Sequence, residues 1–478
     1  SVDVSTSRLI RWWSKVTVEP TLFLYNLACM TTSVVEQAFF VHKSCTVNHN
    51  YNETICSHLP EYKKINTEVQ LTVSDFHQWN NIAGHVAPII LSLFLGAWSD
   101  KRGRKIPLIL GLLGKLYYSV MIIINATQDS WPLEYVIYTA TLPSALTGGD
   151  VAIFGAAFSY MSDVTTSRDR TLRISILDVC FLSTMPTGVA LGSYLFNDVT
   201  NRSYSIMFAI NASMLMLTLV YSFLKLNWRT TSSQRPLREA KNIITDFFNK
   251  EHVKASVSTL TKKRPQHRRL YLWLFMVIMA LYTSQRDEKP MTYLYVSKMF
   301  NWDVATYSNF KTVQSALYVI SMFVGIPLMS KVLGWKDTII IMIGATGHAV
   351  ARITFAMAEI DNLFYLGAVF AAIGPVVAPV LRSMTSKVVP ISERGKVFSW
   401  LSVFDNAVPL FSGVLYTQVY NASINTHPAA IFWLSMSTQV VVFVLILCVH
   451  IILGNRSLQV EEVTAQKADE TSNAKTDQ

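Results

Sequence analysis

Residues 429–453 form an apolar run without a single Asp, Glu, Lys or Arg. A bilayer core of about 30 Å needs roughly 20 such residues in helical form, because a helix satisfies all its backbone polar groups internally. Windows of this kind recur twelve times, at about 20–41, 79–99, 106–126, 134–161, 173–196, 204–226, 270–296, 307–330, 338–357, 362–386, 397–420 and 429–453. The expected fold is an all-α membrane protein of twelve transmembrane helices. One window, 270–296, contains Gln285-Arg286-Asp287-Glu288-Lys289-Pro290. Stopped at Ser284 it would hold about 15 residues, too few to cross. A long span, broken or unwound near Pro290, is therefore expected.

An even number of spans puts both termini on one side. The positive-inside rule makes that side cytoplasmic, because the outside loops then hold only Lys43, Lys63, Lys64, Arg202 and Lys298 of the 41 Lys and Arg. The segment around residues 225–269 carries twelve Lys and Arg against three acidic residues. That is nearly all of the formal net charge of +10, so the charge reads as a mark of topology and excludes nucleic acid as a macromolecular partner. The expected organisation is a cytoplasmic segment 1–19, a six-helix half 20–226, a basic linker 227–269, a second six-helix half 270–453 and a cytoplasmic tail 454–478. Within the linker, Leu237, Ile243, Ile244, Phe247 and Phe248 have helical spacing. A short amphipathic helix on the inner leaflet and a basic tether are both compatible with it.

The sequons at Asn52, Asn201 and Asn421 fall in outside loops by this topology. Cys45 and Cys56 share the first outside loop, an oxidising setting in which a local disulfide is expected. Mass mapping of that loop without reductant tests the bridge; two free thiols would refute it. No metal-ligand cluster, nucleophile elbow or P-loop occurs in the sequence, so an enzyme is not expected, nor is any cofactor besides a coupling proton.

The two halves carry corresponding loops. Ser99, Gly103 and Lys105 match Ser330, Gly334 and Lys336 at a constant spacing of 231 positions. Asp163 to Arg170 and Pro390 to Lys396 correspond at nearly the same spacing. Parallel six-span repeats are the pattern of major facilitator transporters. The first loop, G-x-x-S-D-x-x-G-R-K from Gly96 to Lys105, is close to that superfamily's signature. Gly103 permits the turn between two helices. Asp100 can pair with Arg104 or another cation and bias a two-state rocker as a conformational latch; the plainer reading is a basic inner loop.

The chain resembles the proton-coupled folate transporter family over nearly all twelve spans. The residues that carry this are Leu95 to Asp100, Gly149-Asp150, Ser162-Asp163-Val164, Ser167 to Thr171, Pro379 to Arg382 with Ser386-Lys387, and Val397-Phe398-Ser399. The resemblance implies import of an organic anion on an inward proton gradient, with substrates ranging over folates, antifolates, muropeptides and cyclic dinucleotides. It implies proton-coupling roles for Asp150 and Asp178, anion binding by Arg382, and a first-loop pair of Asp100 and Arg104. The family's span-seven histidine falls at Leu281 here. A disulfide from the first to the fourth outside loop lacks its partner, because residues 297–306 contain no cysteine.

Ionisable residues inside spans are costly and therefore functional candidates. Asp150 follows two glycines that admit close approach of a neighbour; it reads as a proton carrier or as a structural carboxylate. Asp178 reads as a proton site, an inner-gate partner or a helix-start carboxylate. Arg382 and Arg286 are candidates for substrate binding, Arg382 alternatively snorkelling inward and Arg286, with Asp287, Glu288 and Lys289, alternatively forming a wet outer mouth of self-paired charges. Asp405 is mid-membrane and joins them. Lys115 and Arg352 are further cations, with Glu36 as a candidate partner. Tyr293 and Tyr318 are candidates to stack on an aromatic ligand. His85 and His348 read as titrating sites or as hydrogen-bonded helix contacts. With the resemblance, these imply a small organic-anion substrate in a lipid bilayer; a monomer and, from the sequons, a plasma or endolysosomal membrane are expected. The alternative class is a sensor that binds ligand on a transporter fold without moving it.

Overall fold

A computed structural model of the chain describes residues 16–165, 170–230, 234–239, 242–248, 261, 268–389 and 391–454. Among the described residues there are helices and no strands. The longer ones are α1 (Glu19–Lys43), α2 (Lys63–Arg102), α3 (Lys105–Thr127), α4 (Gly149–Val164), α5 (Arg170–Tyr194), α6 (Tyr204–Lys225), α7 (Arg268–Ser284), α8 (Glu288–Met299), α9 (Val304–Ile320), α10 (Asp337–Ala356), α11 (Asp361–Ala371), α12 (Val377–Val388), α13 (Ile391–Ser423) and α14 (Ala430–Leu453). Among the described residues, seven segments are long and apolar enough to cross a bilayer: α3, residues 176–199 of α5 and its extension, α6, residues 304–332 of α9 and its extension, α10, residues 361–388 through α11 and α12, and α14.

The helix boundaries follow from local chemistry. Pro20 at the first turn and Glu19 beside it start α1, where a missing N–H costs nothing and a carboxylate suits the dipole. Between α7 and α8 the helix tightens to a 3-10 turn over Gln285–Asp287. Pro290 explains the position: its ring clashes with the carbonyl four residues back, at Arg286. A second 3-10 turn, Gly374–Val376, interrupts the segment between α11 and α12 at Pro375.

Gly103 ends α2 at φ 103°, a region that L side chains rarely adopt. An added Cβ would also lie 2.8 Å from the Trp228 carbonyl oxygen. Gly103→Val is expected to cost about 1–3 kcal/mol, whereas Gly96→Ala, facing open space, should be close to neutral. Thermal unfolding in detergent compares them; equal stability of the two variants would refute the turn's role.

Helices before residue 226 pack chiefly on one another (α1 on α5 and α6, α3 on α4 and α6), and so do those after 268 (α10 on α14, α7 on α12, α13 and α14). Two seams join the groups, α2 against α13 and α5 against α9. The apolar core is shared unequally along them. At the end bearing Cys45 and Cys56 one aromatic cluster spans both groups, with Phe39, Phe40 and Phe76 from the first and Tyr293, Tyr295, Phe310, Phe364 and Phe432 from the second. At the Gly103 end the core is two separate clusters, one wholly from residues 18–226 and one from 271–449. Polar bonds tie the fused end. Gln70 Nε2 donates to the Leu294 carbonyl (3.0 Å), Tyr420 OH to Gln70 Oε1 (2.8 Å) and Asn421 Nδ2 to Asp75 Oδ1 (2.7 Å). Lys298 Nζ donates to Thr67 Oγ1 (3.0 Å).

Cys45 and Cys56 form a disulfide. Of the sequon asparagines, Asn52 and Asn201 are exposed. Asn421 is a correction: it lies inside α13, and its amide nitrogen, the atom a glycan would take, is donated to Asp75 in the seam. In the linker the described helix is short, Ile243–Phe247; of the expected amphipathic stretch, 236–257, residues 240, 241 and 249–257 lie outside the described residues. Phe247 packs on Trp98 and Phe248 on Phe94 of α2. Asp246 accepts from Arg102 (2.7 and 2.9 Å) and Lys101 (2.7 Å). Arg102's hydrogen bonds, joined by Lys101, hold this carboxyl well below the usual carboxylate range. A depressed carboxyl contributes fully above its unfolded pKa and is lost only as pH falls through the lowered value. The clasp thus stays charged from pH 5 to 8 and does not sense protons in that range.

Candidate functional site

On the first group, glycines set the geometry. An added Cβ at Gly114 would lie 2.0 Å from Thr147 Oγ1, and one at Gly111 would lie 3.1 Å from the Gly149 carbonyl oxygen. Their absence of side chains lets α3 lie directly on the turn that starts α4. Gly148 and Gly149 in that turn both have positive φ. The close approach puts Lys115 of α3 against Asp150, the second residue of α4, with Nζ 3.0 Å from Oδ2. The Tyr25 hydroxyl of α1 donates to the other carboxylate oxygen. Asp150 is still 56% exposed, so the pair sits on an accessible surface rather than in the packed core. Glu36 accepts from the Tyr118 hydroxyl nearby.

On the second group, the break at residues 285–287 distributes charge in three directions. Arg286 Nη2 donates to the Asp405 carbonyl (2.9 Å) and lies 3.8 Å from its carboxylate. Arg382 Nη2 approaches the same carboxylate at 3.5 Å, and Thr283 Oγ1 donates to it at 2.6 Å. Asp405 is thereby a partly buried bridge, 16% exposed, between two guanidinium groups that are each about half exposed, 49% and 51%. Asp287 accepts from Asn81 of α2 at 3.1 Å and from the Ser412 hydroxyl. Glu288 pairs with Arg352 Nε at 3.1 Å, both almost fully buried. Arg352 Nη1 also donates to His348 Nδ1 (2.9 Å), which makes that imidazole an acceptor at Nδ1.

Between the groups, His85 of α2 lies within electrostatic reach of Asp150 on one side and of Asp287 and Arg286 on the other. Its Nδ1 is 2.8 Å from the Asn81 carbonyl oxygen. Asp178 of α5 is exposed and lies within electrostatic reach of Arg382 across the divide.

The structure therefore brings Arg286, Arg382 and Asp405 together, with Asp178 facing them, and keeps Asp150 on the opposite group. Tyr318 lies beside Arg352 and Glu288. Tyr293 is elsewhere: its ring packs on Tyr307 (5.1 Å) inside the fused aromatic layer, and it is buried there. A ring buried in this way offers a ligand little surface to stack on. Arg352 is a second revision, since its carboxylate partner is Glu288, not Glu36. In the first loop, Arg104 joins Asp100 to Asp163 (3.1 Å) and Ser99 Oγ (2.6 Å). All four belong to the first group, so this cluster staples the ends of α2 and α4 to each other. Sequence reading missed Tyr25, Asn81, Ser412 and Lys311 as neighbours of the charges. Tyr25 and Ser412 carry no local signal; Lys311, a lysine within an apolar window, did.

Two helix groups thus share one core at the disulfide end and keep separate cores at the other, with Arg286 and Arg382 both paired to Asp405. A sequence model of the Major Facilitator Superfamily matches residues 65–358, and the chain belongs to that family. Within it, the chain is similar to the proton-coupled folate transporter of Bos taurus, at 26% identity over 85% of this chain and 86% of the relative. It is also similar to the lysosomal proton-coupled steroid conjugate and bile acid symporter SLC46A3 of Gallus gallus (27%, 88% and 90%). A third relative is a probable peptidoglycan muropeptide transporter of Drosophila melanogaster (24%, 86% and 81%). Among solved structures the fold resembles a D-xylose-proton symporter, with TM-score 0.63 at 14% identity over 91% of this chain and 97% of that one. The human organic anion transporter MFSD10 matches with TM-score 0.59 at 14% identity, over 90% and 98%.

Proposed function

We propose that the chain is a proton-coupled importer of an organic anion, working by alternating access. The observation that carries this is the Arg286–Asp405–Arg382 bridge: two half-exposed guanidinium forks share one carboxylate and retain donors for an anionic ligand. Twelve spans in two six-helix halves, 20–226 and 270–453, joined by the basic linker with both termini cytoplasmic, are part of the reading. With that orientation the fused, disulfide-bearing end faces outside and the parted end faces the cytoplasm. Asp150 and Asp178 exchange the coupling proton, and no other cofactor takes part. The relatives' folate, steroid conjugate, bile acid and muropeptide substrates support an organic anion of this general kind. A monomer acting at the plasma membrane or an endolysosomal membrane fits the same reading.

Purified protein in liposomes tests it. Uptake of radiolabelled folic acid, taurocholate and a muropeptide is expected to rise at least several-fold when the outside is at pH 5.5 and the lumen at pH 7.5, for at least one of the three. Uptake independent of the gradient would refute coupling. Binding without counterflow would favour a sensor on a transporter fold.

A further inference from the structure

Lys289 and Lys311 are two cations that the bridge at Asp405 does not use. Lys289 follows Arg286 by three residues across the 3-10 turn, so the two side chains share one face. Lys311 of α9 precedes Tyr318 by seven residues, again one face of a helix, and Tyr318 lies beside Arg352 and Glu288. The two lysines are within electrostatic reach of each other and of the Glu288–Arg352 pair. Glu288 is already committed to Arg352 at 3.1 Å. Among the described residues neither lysine has a carboxylate within ion-pair distance, and Lys311 Nζ donates only to the Gln314 amide oxygen, at 2.7 Å.

This region holds five cations, Arg286, Lys289, Lys311, Arg352 and Arg382, against four anions, Asp178, Asp287, Glu288 and Asp405, and the acidic groups that make ion pairs there do so with the three arginines. Lys289 is exposed and Lys311 half-buried, so an anion can reach them, and like charges this close repel unless one joins them. We infer that Lys289 and Lys311 form a second anion subsite, holding a carboxylate, sulfate or phosphate of the substrate at a point separate from the Arg286–Arg382 pair. The inference rests on the organic-anion reading above and adds to it that the preferred substrate has two acidic groups. Ammonium groups suit this role because each is a compact point charge with three rotatable donors, indifferent to the planar geometry that an arginine fork selects.

The test uses the full chain in liposomes and two probe pairs that differ by one anionic group. These are folic acid against pteroic acid, and taurolithocholate 3-sulfate against taurolithocholate. Wild-type protein is expected to favour the doubly charged member of at least one pair by tenfold or more in kcat/KM. Lys289→Gln with Lys311→Gln should cut that ratio at least tenfold. The Lys289→Arg, Lys311→Arg protein, which keeps both charges, should retain most of it and guards against misfolding as the explanation. A ratio unaltered in the glutamine protein, or uptake by wild type without discrimination, overturns the second subsite while leaving organic-anion transport standing. Uptake of no probe overturns both.

Discussion

Asp150→Asn is expected to lower proton-driven uptake roughly 100-fold, about 2.7 kcal/mol in transition-state terms, while counterflow falls far less. The argument begins with the contacts. One carboxylate oxygen takes a hydrogen bond from Tyr25 and the other an ion pair from Lys115 at 3.0 Å. In the proposed cycle a proton on Asp150 removes the charge that holds Lys115, so protonation loosens the lysine. Asparagine preserves the shape and the Tyr25 contact but holds no exchangeable charge. It also leaves Lys115, 24% exposed, without its carboxylate. Counterflow exchanges labelled for unlabelled substrate without net proton movement, and it separates a coupling role from a structural one. If Asp150→Asn retained the wild-type response to outside pH, Asp150 would not carry the proton. If uptake and counterflow fell together, the carboxylate would be structural. Lys115→Gln gives a second reading: with the competitor for the proton gone, half-maximal uptake is expected at higher pH.

Part of this arrangement is legible in the sequence because a bilayer leaves few options. Seven of the twelve apolar windows coincide with described helices long and apolar enough to span, and these windows and the glycine at position 103 each report a single strong physical demand. The break ahead of Pro290 is legible for the same reason. Partner choice is not. Arg352 and Glu288 are 64 positions apart, Lys115 and Asp150 are 35 apart, and Asp405 bridges from α13 to α7 and α12. Nothing local tells Arg352 to prefer Glu288 over Glu36. Tyr293 illustrates the converse limit. A tyrosine near the end of a span has the same local sequence whether its ring faces a ligand or fills a seal, and only the packing of Tyr307 against it decides. Asn421 likewise sits in an N-x-S pattern while its amide is spent across the α2–α13 seam. Each of these is set by which helices meet, and so by the conformational state as well as the chain.

The buried pair of Glu288 and Arg352 predicts the largest loss of stability. Its side chains are 5% and 7% exposed, and removing one partner leaves the other charged and uncompensated. Glu288→Ala and Arg352→Ala are each expected to destabilise the protein by about 3–5 kcal/mol, read as thermal or denaturant unfolding in detergent. Replacing both together, as Glu288→Leu with Arg352→Met, should recover most of that loss, because two apolar side chains need no hydrogen bonds to offset burial. Single variants as stable as wild type would show that the pair is not buried as described. Transport by the stable double variant then divides two roles. Arg352 also donates to His348 and lies beside Tyr318, so the pair sits between the break at 285–287 and the proposed Lys289–Lys311 subsite. If it serves only to hold α8 on α10, pH-driven uptake should return with stability. If it also positions the lysines, stability should return while the preference for doubly charged substrates stays lost. The second outcome is the one this geometry favours, because Glu288 and Lys289 are adjacent in the chain and cannot be reoriented separately.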